Sequence, residues 1–148
     1  MGTLRKATAT WNGTGLEGKG TLNSKNQFFN NTPYSFSSRF ENADGTQGTN
    51  PEELLAAAHA GCFAMALSFA ITQAGFTPEV LQVEAKVALD AVGDGFEISV
   101  IKLHLTGEVS GMTEAQFNEL AEAVKLGCPI SKALGATPIE LITQFTTK

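Results

Sequence analysis

The run "NPEELLAAAHAGCFAMALSFAITQAG", from Asn50 to Gly75, is apolar at almost every position after two acidic residues. It shows no period of two, it is longer than ordinary strands, and alanine dominates it, so it predicts a helix. Both ends carry signals. Asn50 suits the N-cap, Pro51 suits the first helical position because its missing N–H would be unpaired there, and Glu52 and Glu53 put negative charge at the positive end of the dipole. Asn50 and Glu53 also have capping-box spacing, and Gly75, with Pro78 beyond it, stops the helix. The span is long enough for a bilayer, but His59 and Ser68 interrupt it and no second span accompanies it. A core helix is therefore predicted, and no membrane partner.

Ahead of it, "LRKATATW", "KGTLNS" and "PYSFSSRF" read as short strands around glycines, an antiparallel meander filling residues 1–48. In the last of these, alternation puts Arg39 on the face opposite Phe40 and on the same face as Ser37. The stretch "GTGLEG" at 13–18 matches a dinucleotide fingerprint, yet no helix follows it and no βαβ unit holds it, so it predicts a hairpin turn. Beyond the helix, 79–90 and 96–109 are rich in β-branched residues and joined by "AVGDG", which predicts a long hairpin. Thr113, with Gln116 three residues on, caps a second helix that ends at Gly127; "CPISKALG" follows as a short helical turn and "TPIELITQFTTK" as a last strand. The order ββ(β)αββα(α)β, with 79–148 as its C-terminal ββα(α)β part, gives an α+β fold with a largely antiparallel sheet.

Composition narrows the partners. The 148 residues fall within the size of one domain and contain no linker-like stretch, so a single domain with one core is expected. Apolar residues form 43% and charged residues 17% of the chain, which suits an ordinary folded domain. The net charge of −5 and the scattered basic residues offer no stripe for a phosphate backbone, so no nucleic acid is expected. The start "MGTLRKATATW" has no apolar h-region, which predicts a cytoplasmic protein.

Candidate chemistry centres on the two cysteines. Without a secretory signal, such a pair is more often free, metal-bound or catalytic than a structural disulfide. Cys62, Cys128, His59 and His104 could supply four metal ligands, but no C-x-x-C or H-x-x-x-H pair preforms half of a site, so no metal is expected. A free cysteine amid an apolar helix packs well as a small hydrophobe, and Cys62 read from its own stretch alone is a packing residue sooner than a reactive one. Cys128 follows a helix C-terminus, where the dipole raises a thiol's pKa, and stands at an element boundary where a loop can move. One fixed and one mobile thiol suit a cycle in which the first becomes a sulfenic acid and the second closes a disulfide with it. Two cations stand within reach as partners of a thiolate. His59, at i−3 from Cys62, either pairs with it or is a hydrogen-bonded histidine at a packing seam, and Arg39 either serves the thiol or is a solvated side chain.

The segments "RFE" at 39–41, "GTNPEELLAAAHAGCFAMAL" at 48–67 and "GCPIS" at 127–131 closely resemble the OsmC branch of the OsmC/Ohr family of osmotically inducible and organic hydroperoxide resistance proteins. The resemblance runs along the whole chain. It implies antiparallel sheets packed around two long central helices in an intertwined homodimer, and a thiol-dependent peroxidase acting on organic hydroperoxides with a dithiol or thiol-protein reductant. It implies no cofactor. Position by position, Cys62 matches the peroxidatic cysteine, Cys128 the resolving cysteine, Arg39 the arginine that steadies the thiolate, and Glu52 the carboxylate that orients that arginine. Glu53 matches no role. Glu52 and Cys62 stand about 15 Å apart along one helix, so a Glu52 that serves the thiol comes from a second, antiparallel copy. The small residues Ala56, Ala57, Ala58, Ala60, Gly61, Ala64 and Ala66 would let such a copy approach. Phe63, Met65 and Phe69 would line an apolar pocket or simply pack the core. The alternative function is a non-enzymatic binder of small apolar ligands in the dimer cleft, with both cysteines incidental. A disulfide reductase would need the C-x-x-C that is missing.

Overall fold

The computed structural model describes residues 2–147. The chain forms two compact units, Met1–Leu54 and Leu55–Lys148.

In the first unit, strands β1 (Ala7–Asn12), β2 (Lys19–Ser24) and β3 (Thr32–Ser35) form an antiparallel sheet in that order. The glycine-rich stretch is the hairpin turn between β1 and β2. Gly13 takes φ +96°, Gly18 donates to Thr14 O at 2.9 Å, and a side chain at Gly18 would run into the Trp11 indole and that carbonyl. The strand expected over "PYSFSSRF" stops at Ser35. There the chain turns into a short helix, α1 (Phe36–Phe40), so Arg39 lies on a helix and not on a strand face. The cause is a capping box that alternation does not reveal: the Ser35 hydroxyl accepts from Ser38 N at 3.1 Å, and Ser38 Oγ accepts from Ser35 N at 2.9 Å.

Helix α2 (Pro51–Gln73) begins and ends where its sequence signals stand. Asn50 caps it, its side chain accepting from Glu53 N at 2.8 Å. Glu53 engages Thr49, whose hydroxyl donates to its carboxylate at 2.9 Å. At the other end Gly75 adopts φ +89°, and the Gly75 and Phe76 N–H groups bond back to Thr72 O and Ile71 O in a Schellman motif.

The second unit holds most of α2, the strands β4 (Pro78–Val92), β5 (Gly95–Val109) and β6 (Ile139–Thr146), and helices α3 (Glu114–Gly127) and α4 (Pro129–Ala133). β4 and β5 form the long antiparallel hairpin through Gly93 and Asp94. β6 pairs with β5 in parallel, because the chain crosses back through α3 and α4 before it rejoins the sheet. Thr113 and Gln116 make the expected capping box of α3. The core brings together Phe63, Leu67 and Ile71 of α2, Ile101, Leu103, Leu105 and Val109 of β5, and Phe117, Ala121 and Val124 of α3. Alternate residues of β5 and every fourth residue of α2 therefore meet on one side of the sheet.

Within its own unit α2 buries only the stripe His59, Phe63, Leu67 and Ile71. Met65 is 62% and Phe69 67% exposed, and nothing lies within 4 Å of where a Cβ on Gly61 would stand. A helix buried all round is thus not what one chain makes. Among the described residues it is also the one helix long and apolar enough to cross a bilayer.

Gly107 shows how tightly the core is closed. A methyl group there would overlap the ring of Phe117, which is fully buried and stacks at 4.7 Å on Phe145. Gly107→Ala is expected to destabilise the protein by about 1–3 kcal/mol, since the ring has nowhere to move. Urea unfolding should show it as a lower midpoint with an unchanged slope.

Candidate active site

The four residues singled out in the sequence stand in the structure as two pairs. The first lies in the N-terminal unit. Ser38, buried beside Arg39, donates through Oγ to Thr49 O at 3.1 Å, which ties α1 to the residue preceding the cap of α2. This brings Arg39 against Glu52: Nε donates to Oε2 at 3.2 Å and Nη2 to Oε1 at 2.6 Å, a bidentate pair. The Glu52 side chain is only 13% exposed, and the Arg39 side chain 35%. The guanidinium also lies 5.0 Å from the centroid of the Phe40 ring. Fork geometry and the aromatic neighbour hold its plane, so Arg39 is not a freely solvated side chain.

The second pair lies in the C-terminal unit. Cys62 sits beside the core stripe of α2 in the row Cys62, Ala66, Ala70, half-buried. Cys128 is buried at the junction of α3 and α4, ending one helix and beginning the next. Their sulfurs are 2.7 Å apart and share one hydrogen bond, with both cysteines free.

The two thiols differ in acidity. Burial pushes the Cys62 thiol up, and the hydrogen bond with Cys128 pushes it further, against a smaller opposing contribution from Ile130 N–H. Cys128 also feels burial. Hydrogen bonds from Cys62, from the Ser131 and Ile130 backbone N–H groups and from the Ser131 hydroxyl outweigh it, and its pKa lies below the ordinary thiol value. The expectation that a helix C-terminus leaves Cys128 the less acidic thiol is therefore corrected. The same residue opens α4, at the positive end of that short helix, where a thiolate is favoured. Within the pair the Cys62 thiol is pushed up and the Cys128 thiol down.

His59 is fully buried, and its Nε2 lies 2.8 Å from Ser131 Oγ. Burial lowers its pKa, which favours the neutral ring. Of the two roles open to it, the hydrogen-bonded histidine at a packing seam is the one the structure bears out. Ser131 went unnoticed in the sequence. Its one local signal is its place in "GCPIS", three residues after Cys128. His104 occupies the β5 face turned away from Ile101, Leu103 and Leu105, and among the described residues no group of His, Cys, Asp and Glu side chains is placed to hold a metal ion.

An α+β chain with two sheets and a long central helix has the architecture of OsmC/Ohr proteins. Residues 43–143 match the family described as OsmC-like protein. This chain belongs to that family. Peroxiredoxin OsmC of Escherichia coli K12 is 44% identical over 132 residues, 89% of this chain and 90% of that protein. An organic hydroperoxide resistance protein of Xanthomonas axonopodis pv. citri is 33% identical over 90 residues, 60% of this chain and 61% of that one. Among solved structures, the organic hydroperoxide resistance protein OhrB of Bacillus subtilis superposes with a TM-score of 0.69 at 26% identity, covering 94% of this chain and 98% of that one.

Proposed function

We propose that this protein is a cysteine-dependent peroxidase that reduces organic hydroperoxides to alcohols through a sulfenic acid on Cys62, resolved by Cys128. Thiol-dependent peroxidase activity is what the names of its relatives, a peroxiredoxin and organic hydroperoxide resistance proteins, carry over to it. The observation that carries the finer reading is the 2.7 Å separation of two free sulfurs that are 66 residues apart in the chain. Little motion is needed to turn that contact into a disulfide.

In the first step the Cys62 thiolate attacks the distal peroxide oxygen. An S–O bond forms, the O–O bond breaks, and the alkoxide leaves and takes up a proton to give the alcohol. Burial and Cys128 both raise the Cys62 thiol, and a cation beside it would favour the thiolate. Arg39 supplies it, with Glu52 occupying its Nε–Nη2 edge and leaving Nη1 for the thiolate and for the charge developing on the leaving oxygen.

We read the 148 residues as one OsmC-like domain that works as a homodimer in the cytoplasm, with a dithiol or thiol protein as reductant. The exposed flank of α2, Gly61, Met65 and Phe69, is the surface a second copy would cover. Sedimentation at micromolar concentration should give a single dimer boundary, and a monomer would remove this part of the reading.

Stopped-flow mixing of the reduced protein with cumene hydroperoxide tests the chemistry. One thiol should be lost rapidly, followed by an intramolecular disulfide seen as the loss of two hydrogens in the intact mass. In Cys128→Ser the first phase should end in a persistent sulfenic acid that dimedone traps. Peroxide consumed with both thiols intact throughout would reject the cycle.

A further inference from the structure

Thr49 is gripped from both sides. Its carbonyl accepts from the Ser38 hydroxyl of α1 at 3.1 Å, and its own hydroxyl donates to the Glu53 carboxylate of α2 at 2.9 Å. Thr49 is 9% and Ser38 8% exposed. Just before it Gly48 takes φ +63°, and a Cβ there would press on the Pro33 carbonyl at 3.2 Å and meet the Ser38 side chain at 3.5 Å. The segment that enters α2 therefore lies against β3 and α1, all within the N-terminal unit.

The Arg39–Glu52 pair joins the same two helices at the neighbouring positions, Arg39 next to Ser38 on α1 and Glu52 next to Glu53 on α2. Two ties thus run side by side. The charged one is nearer to solvent, and an ion pair open to water holds two long side chains in one geometry only weakly. The neutral one, through Thr49, fixes the backbone from which both charged side chains project. Capping does not call for it. Asn50 already accepts from Glu53 N at 2.8 Å and serves the first turn of α2 without the Thr49 hydroxyl.

We propose that Thr49 and Glu53 are positioning residues of the peroxidase site, a strap that sets Arg39 and Glu52 at bonding distance and keeps the guanidinium in place while it serves the thiolate. Glu53, to which the family resemblance gives no role, is thereby assigned one. The proposal rests on the reading of Arg39 as the cation that serves Cys62. No bond is made or broken at Thr49 or Glu53, and their effect passes through the guanidinium alone. A misplacement of about 1 Å at a positioned group costs up to about 10²-fold in rate, so losing one of the two ties is expected to cost about tenfold.

The experiment uses the full chain in two arms. Arg5 and Arg39 are its two arginines, so a nitrogen-labelled sample gives two arginine Nε–H signals, and Arg5→Lys assigns them. In the reduced protein, with no peroxide present, the Arg39 Nε–H that donates to Glu52 should exchange with water about tenfold faster in Thr49→Val and in Glu53→Ala. Thr49→Val keeps the branched shape and removes only the hydroxyl. Thr49→Ser and Glu53→Gln, which keep the donor and an acceptor oxygen, should exchange like the parent.

With cumene hydroperoxide, Thr49→Val and Glu53→Ala should oxidise Cys62 about tenfold more slowly. In a Cys128→Ser background their iodoacetamide profile for Cys62 should move to higher pH, the direction expected when a cation is misplaced. In an Arg39→Ala background Thr49→Val should have no further effect, since a residue acting through the guanidinium has nothing left to position. Parental exchange and parental oxidation in both variants would overturn the strap. So would a slowing that persists without the guanidinium, which would mark a general loosening, or a Thr49→Ser protein as impaired as the valine variant. Should Arg39→Ala itself oxidise like the parent, the role of Arg39 would fall, while the exchange arm would still decide whether Thr49 and Glu53 hold it on Glu52.

Discussion

Cys62→Ser is expected to remove hydroperoxide reduction, with turnover falling roughly 10³-fold or more, because a serine hydroxyl at neutral pH has neither the ionisation nor the polarisable lone pair that attacks an O–O bond. The substitution should leave the fold intact. Cys62 lies beside the buried stripe rather than in it, and an oxygen in place of sulfur keeps its hydrogen-bonding capacity toward Cys128. Circular dichroism and the unfolding midpoint should therefore match the parent, with peroxide consumption by a coupled thiol assay at background. Residual turnover above one tenth of the parent would move the chemistry to another residue, and Cys128, the more acidic thiol of the pair, would be the first to test.

The second large effect is expected at Arg39. Arg39→Ala should slow Cys62 oxidation by about 10²-fold, the order of loss on removing one preorganised group that stabilises developing negative charge. Its sign in a pH profile is definite. Burial and Cys128 already push the Cys62 thiol up, so taking away the cation should shift the alkylation midpoint of Cys62 to higher pH and never to lower. Arg39→Lys should recover only part of the rate, since a point charge does not reproduce the two bonds that Nε and Nη2 make to Glu52. Iodoacetamide kinetics on Cys128→Ser isolates Cys62 for this measurement. A profile identical to that of the parent would take Arg39 out of the site, and the origin of the Cys62 thiolate would have to be sought elsewhere.

Local signals accounted for much of the architecture. The caps of α2 and α3, the hairpin between β4 and β5 and the glycine turn between β1 and β2 stand where Asn50, Thr113, Gly75, Gly93 and Gly13 place them. The strand expected over 33–40 ends at Ser35 for an equally local reason, a capping box between two serines in a stretch where three serine hydroxyls offer competing choices. The site residues were legible as types and spacings. What they touch was not.

The sequence by itself determined the elements, the apolar α2 with a thiol at its edge, and the family to which the chain belongs, because helical periodicity, caps and turn residues act over a few positions. Tertiary structure decided which of those residues meet. It set Arg39 on Glu52, joined Cys62 to Cys128, laid β6 parallel to β5, and put Cys128 at the start of α4 with its thiol pushed down while that of Cys62 is pushed up. It also buried His59 against Ser131, 72 residues away. Contacts across such separations depend on how helices and sheet close around one core, and acidity depends on the donors and burial that this closure leaves at each sulfur.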